Sequence, residues 1–183
     1  QITPTSFAAR TLAIPYLGLF GACSTSMEGL ALASFIVNYG GADKVLTGAS
    51  SHNAATEKQF RYPTEYGGQK PPTAQWTVTG AGVALVEKND NSSEGNLVVT
   101  SSTIGKVVDM GLKDPFNMGG AMAPAAAETI YQHFKDLNLQ ANHYDLVVTG
   151  DLGKIGQATA LDLLEQKGLK LDKDKFRDCG LMI

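Results

Sequence analysis

A chain of 183 residues is long enough for one domain with a sizeable core and too short for more than two. Apolar residues make up 43% and charged residues only 18%, which excludes a disordered chain, and a net charge of -3 spread without runs excludes a basic nucleic-acid footprint. No stretch approaches the roughly 20 consecutive apolar residues of a membrane span, and the two cysteines and three scattered histidines form neither a disulfide framework nor a zinc pattern, which points to a reducing compartment.

In chain order, Thr5 to Ala13 reads as the end of a helix that Pro15 interrupts, and Tyr16 to Phe20 as a short apolar strand. Cys23 to Val37 carries one charge, Glu28, and is otherwise small or apolar, the pattern of a helix buried on nearly all sides. Asn38-Tyr39-Gly40-Gly41 supplies its C-cap, and Lys44 to Ala49 is the next strand. Ser50 to Gln75 is a long polar and aromatic stretch, the length of an ordered functional loop. Trp76 to Glu87 reads as a strand whose Gly-Ala-Gly interior admits close approach of a neighbouring backbone. A polar turn, Asn89 to Gly95, leads to a strand at Leu97 to Ser101. Asp109 to Met122 reads as irregular, and Pro124 as the start of a helix running to about Leu137. Leu146 to Thr149 is a buried strand and Lys154 to Gln166 a helix capped by Gly168. Strands alternating with helices make this an α/β protein with helices on the sheet faces. Gly21-Ala22-Cys23 and Gly150-Asp151-Leu152 each follow an apolar strand and lead into a helix, which suggests a duplicated βα architecture. The opening on Gln1 and the apolar end Leu181-Met182-Ile183 give the expectation of a piece of a longer protomer.

Cys23 falls on the turn from that strand to that helix, where the positive end of a helix dipole favours a thiolate. The competing reading is a buried core cysteine. The flanking Gly21, Ser24 and Thr25 favour a site, because small neighbours let substrate and backbone N–H groups approach. His52 follows the strand Lys44 to Ala49, near the carboxyl ends of strands where α/β sites gather. His133 reads as part of a solvated helix face and His143 as a surface residue. Gly80-Ala81-Gly82 is not a dinucleotide fingerprint, since no helix follows it.

The segment Gly21-Ala22-Cys23-Ser24-Thr25-Ser26-Met27-Glu28-Gly29 resembles the nucleophile turn of thiolases and ketoacyl synthases, and Thr79 to Leu85 resembles the Gly-Ala-Gly strand of the synthase III type. Over essentially all of its length the chain resembles the stage V sporulation protein AD family of spore-forming Bacilli. That likeness runs through Glu57 to Thr73, Trp76, Pro115 to Gly120 and Cys179 to Ile183. It implies a thiolase-like layered α/β fold, one unit over 1–183 with a first-half portion at 1–88 and a second-half portion at 96–183. It also implies a homodimer paired through Tyr16 to Phe20, across the two-fold axis of that fold.

The same resemblance implies a non-enzymatic subunit of a spore complex that moves dipicolinic acid, with or without calcium, into the developing spore. Such a protein sits peripherally on the cytoplasmic face of the spore inner membrane beside the other stage V sporulation A subunits, and needs no cofactor and no nucleic acid. A condensing enzyme of this fold places a histidine and an asparagine in a turn after a second-half strand. Here that turn is Thr149-Gly150-Asp151-Leu152-Gly153, with the histidine position on Gly150 and the asparagine position on Gly153. Cys23 is then a vestigial nucleophile position, and the alternative is an active acyl-condensing enzyme that uses it. For a dianionic aromatic acid the useful groups are forked cations and stacking rings. Arg61, Lys58 and Lys70 with Tyr62, Tyr66 and Trp76 supply both, so the expected ligand set is Cys23, His52, Arg61, Tyr66, Lys70 and Trp76.

Overall fold

The computed structural model describes residues 2–55, 73, 78–89 and 97–182. They fall into two units, one of Gln1–Thr56 with Val78–Ser102 and the other of Glu57–Thr77 with Thr103–Ile183.

The first unit begins with helix α1 (Ile2–Leu12), whose last turn carries Arg10 where a cation suits the helix dipole. The helix stops at Ala13, which has φ +52, two residues before Pro15. Residues 14–20 form no strand, contrary to expectation: a β-strand exists only with a partner to bond, and an apolar run alone does not provide one. Tyr16, Leu17 and Phe20 are exposed there.

A 3-10 turn, Ala22–Ser24, opens directly into helix α2 (Thr25–Asn38). Its buried stripe is Gly29, Ala33 and Val37, spaced by four residues, and it faces a two-stranded sheet. A Cβ at Gly29 would stand 2.2 Å from Thr47 Oγ1, so a side chain there would have to turn that hydroxyl away or lift the helix off the strand below. The expectation of a helix buried on all sides is corrected: Met27 and Phe35 are each 61% exposed, because a two-stranded sheet covers one face only. The C-terminal signal holds. Gly40 takes φ +74, and Gly41 N–H donates to Ile36 O at 2.8 Å.

Strand β1 (Lys44–Ser51) pairs antiparallel with β2 (Gly80–Glu87), in register from Lys44 opposite Glu87 to Ser51 opposite Gly80. The crowded glycine of this pair is Gly48, where a Cβ would stand 2.6 Å from Gly82 O. Among the described residues a Cβ at Gly80 or Gly82 would meet open space, so the close approach expected at those two positions belongs to the partner strand. Leu97 to Ser101, read as a strand, forms none.

In the second unit, helix α3 (Met118–Asp136) starts six residues before Pro124, inside the stretch read as irregular. Asn117 provides the start that the proline was expected to mark: its side-chain oxygen accepts the Gly120 N–H at 3.0 Å. Pro124 lies in the helix interior and leaves the Gly120 carbonyl without its i+4 amide. Strand β3 (Val147–Thr149), helix α4 (Gly153–Gln166) and strand β4 (Phe176–Asp178) form a parallel crossover unit, with Val147 opposite Phe176 and Thr149 opposite Asp178. Helices α3 and α4 meet where a Cβ at Gly156 would stand 2.8 Å from Gly119 O, beside the fully buried Ala123 and Ala160. The core gathers Ala127, Phe134, Leu164, Leu169, Leu171 and Phe176. Gly168 ends α4 at φ +85, and Leu169 N–H donates to Leu164 O at 2.9 Å.

Candidate functional site

The Cys23 turn is built by its neighbours. Ala22 takes φ +50, a left-handed conformation that a Cβ disfavours, and this turns the chain from residues 14–20 into the helix. Thr25 Oγ1 donates to Ala22 O at 2.8 Å and accepts the Gly21 N–H at 3.1 Å. Ser24 Oγ lies 2.7 Å from Gly21 O and 2.6 Å from Glu28 Oε1 and shares its one proton between them. Position 21 must be glycine while Glu28 sits there, since a Cβ would stand 1.9 Å from Glu28 Oε1. Cys23 is exposed and forms no disulfide. The one charge of the helix is thus a turn anchor, and as a carboxylate in the first turn it shares the positive dipole end that favours a Cys23 thiolate.

His52 is exposed just past the end of β1, between Ser51, whose hydroxyl donates to Val78 O at 2.7 Å, and Asn53, whose N–H donates to Thr79 Oγ1 at 3.0 Å. Cys23 and His52 therefore stand in one unit, on different elements. Lys58, Arg61, Tyr62, Tyr66, Lys70 and Trp76 lie outside the described residues.

His133 is not on a solvated face. It is partly buried, with Nδ1 2.8 Å from Thr103 Oγ1 and Nε2 2.7 Å from the Tyr144 hydroxyl, and it ties the irregular stretch before α3 to the one after it. His143 is exposed and meets the edge of Tyr144 at 4.6 Å between ring centroids.

The second-half turn holds the group that the sequence reading missed. Asp178 is 1% exposed, the one buried charged side chain among the described residues. Its Oδ1 accepts the Leu152 N–H at 2.8 Å and the Thr149 hydroxyl at 2.9 Å, and its Oδ2 accepts the Gly153 N–H at 2.9 Å. These are charge-assisted bonds at the positive end of α4, and they offset the cost of burying a carboxylate. Asp151 takes φ +59 and Gly153 φ +65, so the asparagine position of the resembled enzymes sits on backbone that favours glycine. Gly180 closes the turn from the other side: a Cβ there would stand 3.1 Å from both Asp151 Oδ1 and Asp178 Oδ2. The sequence echo has a structural counterpart, since Ala22 and Asp151 each follow a glycine and each take positive φ before a helix.

The family described as stage V sporulation protein AD matches residues 1–183. Stage V sporulation protein AD of Bacillus subtilis (strain 168) is 53% identical over 183 residues, covering all of this chain and 53% of that protein, so the chain spans about half the length of its relative. In fold, the chain is similar to 3-oxoacyl-(acyl carrier protein) synthase III of Pseudomonas aeruginosa PAO1, with a TM-score of 0.61 at 16% identity, over 93% of this chain and 54% of that one. That likeness shows a thiolase-like fold. Matched from first residue to last, the chain belongs to the stage V sporulation protein AD family.

Proposed function

We propose that the chain is part of a dipicolinic acid-binding subunit of the spore complex that takes this acid into the developing spore, and that it is not a condensing enzyme. The observation that carries the reading is the second-half turn. Gly150 and Gly153 stand where a histidine and an asparagine would serve condensation, and the turn's amides are committed to Asp178. A positioned acid–base group contributes about 10²–10⁴-fold to a rate, and neither glycine carries a side chain to supply it. Membership of a sporulation family supports the same direction. Among the described residues no helix is long and apolar enough to cross a membrane, which suits a peripheral subunit held by its sister subunits.

For the ligand, alone or with calcium, the residue types favour Arg61 or Lys70 as charge partner, with Cys23, His52, Tyr66 and Trp76 as the other expected contacts. Calorimetric titration of the full-length protein with pyridine-2,6-dicarboxylate, against the 3,5-isomer as control, tests this. Arg61→Ala is expected to weaken binding by about tenfold or more, the loss of one bidentate guanidinium contact. No binding to the unmodified protein would end the proposal. Cysteine-dependent release of CoA from acetyl-CoA and a malonyl thioester, at about 1 s⁻¹ or faster, would restore the enzyme.

A further inference from the structure

We propose that the open face of α2 is a docking surface for an apolar segment of the same protomer, carried by polypeptide outside this chain. The helix has two apolar faces. Gly29, Ala33 and Val37 lie toward the sheet, and on the opposite side Met27, Ala31 and Phe35, again spaced by four residues, lead to the C-cap residue Tyr39. Met27 and Phe35 are 61% exposed and Tyr39 72%. The Phe35 and Tyr39 rings stand 4.5 Å apart between centroids, so the end of this ridge is one aromatic ledge and not two scattered side chains.

Helices that face water in this chain are built differently. Exposed charges stand on α3 at Lys135 and Asp136 and on α4 at Lys154, Asp162 and Glu165. The single charge of α2, Glu28, is tied to Ser24 Oγ at 2.6 Å in the turn that starts the helix, which leaves the ridge with none. A helix apolar on both sides belongs in an interior. The sheet supplies one wall of that interior, and the docked segment supplies the other.

Two occupants compete for the face. A second copy would have to hold on through a ridge whose exposed area is on the order of 400 Å², about half of the roughly 800 Å² that each partner gives to a stable interface. A segment of the same protomer needs less, because covalent connection spares it most of the cost of association. The chain covers 53% of its Bacillus subtilis relative, so a protomer of that length carries nearly as much polypeptide again.

This docking does not rest on the dipicolinate reading, and its test uses no ligand. In the full-length protein, Phe35→p-benzoylphenylalanine is irradiated and the cross-linked peptides are identified by mass spectrometry. The cross-link is expected within one chain, to a peptide outside residues 1–183. A cross-linked dimer would give the face to a second copy, and a cross-link to a peptide of residues 1–183 would show that the chain covers the face unaided. Either result overturns the proposal. The unmodified full-length protein supplies a second readout, which decides the matter if the variant does not fold. Hydrogen peroxide oxidises methionines according to their exposure, and Met27 should react about tenfold or more slowly in the folded protein than in urea. The protection should persist on dilution, and protection lost on dilution would again mean a second copy. Oxidation of Met27 within about twofold of its unfolded rate would leave the face open to water and end the proposal.

Discussion

Ala22 holds φ +50 directly before Cys23, a conformation that costs an alanine roughly 1 kcal/mol and a β-branched residue more. Ala22→Val is therefore expected to destabilise the protein by more than about 1 kcal/mol, while Ala22→Gly leaves its stability unchanged or slightly raised. Urea unfolding midpoints of the two variants check this, and equal midpoints would mean that the turn bears no strain. Gly156 is a different case, because its φ is not at issue and its space is. A methyl group there would press on the backbone of Gly119 at 2.8 to 3.0 Å, and backbone cannot swing aside as a flexible side chain can. Gly156→Ala should cost about 1–3 kcal/mol by forcing α3 and α4 apart. A cost near zero would show that the helix crossing gives way.

Between elements, Glu128 ties two other stretches of the chain to α3. Its two oxygens take Lys106 from the extended stretch before α3 and Lys167 from the end of α4, each at 2.8 Å. Hydrogen bonds from Lys106 and Lys167 hold its carboxyl down at about 2, against an ordinary value of 4.5. A carboxyl depressed in the folded state contributes stability that is fully present above 4.5 and is lost as the pH falls toward 2. Glu128→Gln should flatten that part of the acid-unfolding profile, and 1 M salt should shrink the difference between the two proteins. An unchanged profile would assign the acid sensitivity elsewhere. Elements that announce themselves locally were legible in the sequence: the helix ends at Gly40 and Gly168, the strands at Lys44 and Val147, and the turn into the helix at Cys23. What escaped depended on partners. Tyr16 to Phe20 has strand chemistry but pairs with no strand among the described residues, Pro124 advertised a start that Asn117 makes, and His133 looked solvated until Thr103 and Tyr144 came to it. Asp178 was invisible for the same reason, since its donors lie up to 29 residues away in the chain.

At the scale of the whole molecule, a good deal of large apolar surface is open, with Leu17, Met27, Phe35, Val83, Leu97, Ile104 and Val107 each more than half exposed. Surface of this kind, where it is contiguous, is an interaction site or a liability to aggregate. The resemblance implies that Tyr16 to Phe20 pairs with the same segment of a second copy, which would close an open edge. Leu17, 69% exposed at the middle of this segment, is the residue to alter: Leu17→Lys in the full-length protein should shift it from dimer to monomer at micromolar concentration by light scattering. A variant that stays dimeric would move the interface. The arrangement at Asp178 also bears on the order of events as the chain folds. Helix α4 leaves synthesis with its first amides bare, because the residue that receives them is made 25 residues after Gly153. When β4 arrives it completes the parallel pair, buries Phe176 and caps the helix together, so one late step closes three interactions. Asp178→Asn is therefore expected to raise the unfolding rate and to leave the refolding rate nearly unchanged in stopped-flow kinetics, and an equal fall in the refolding rate would place the contact before the rate-limiting barrier.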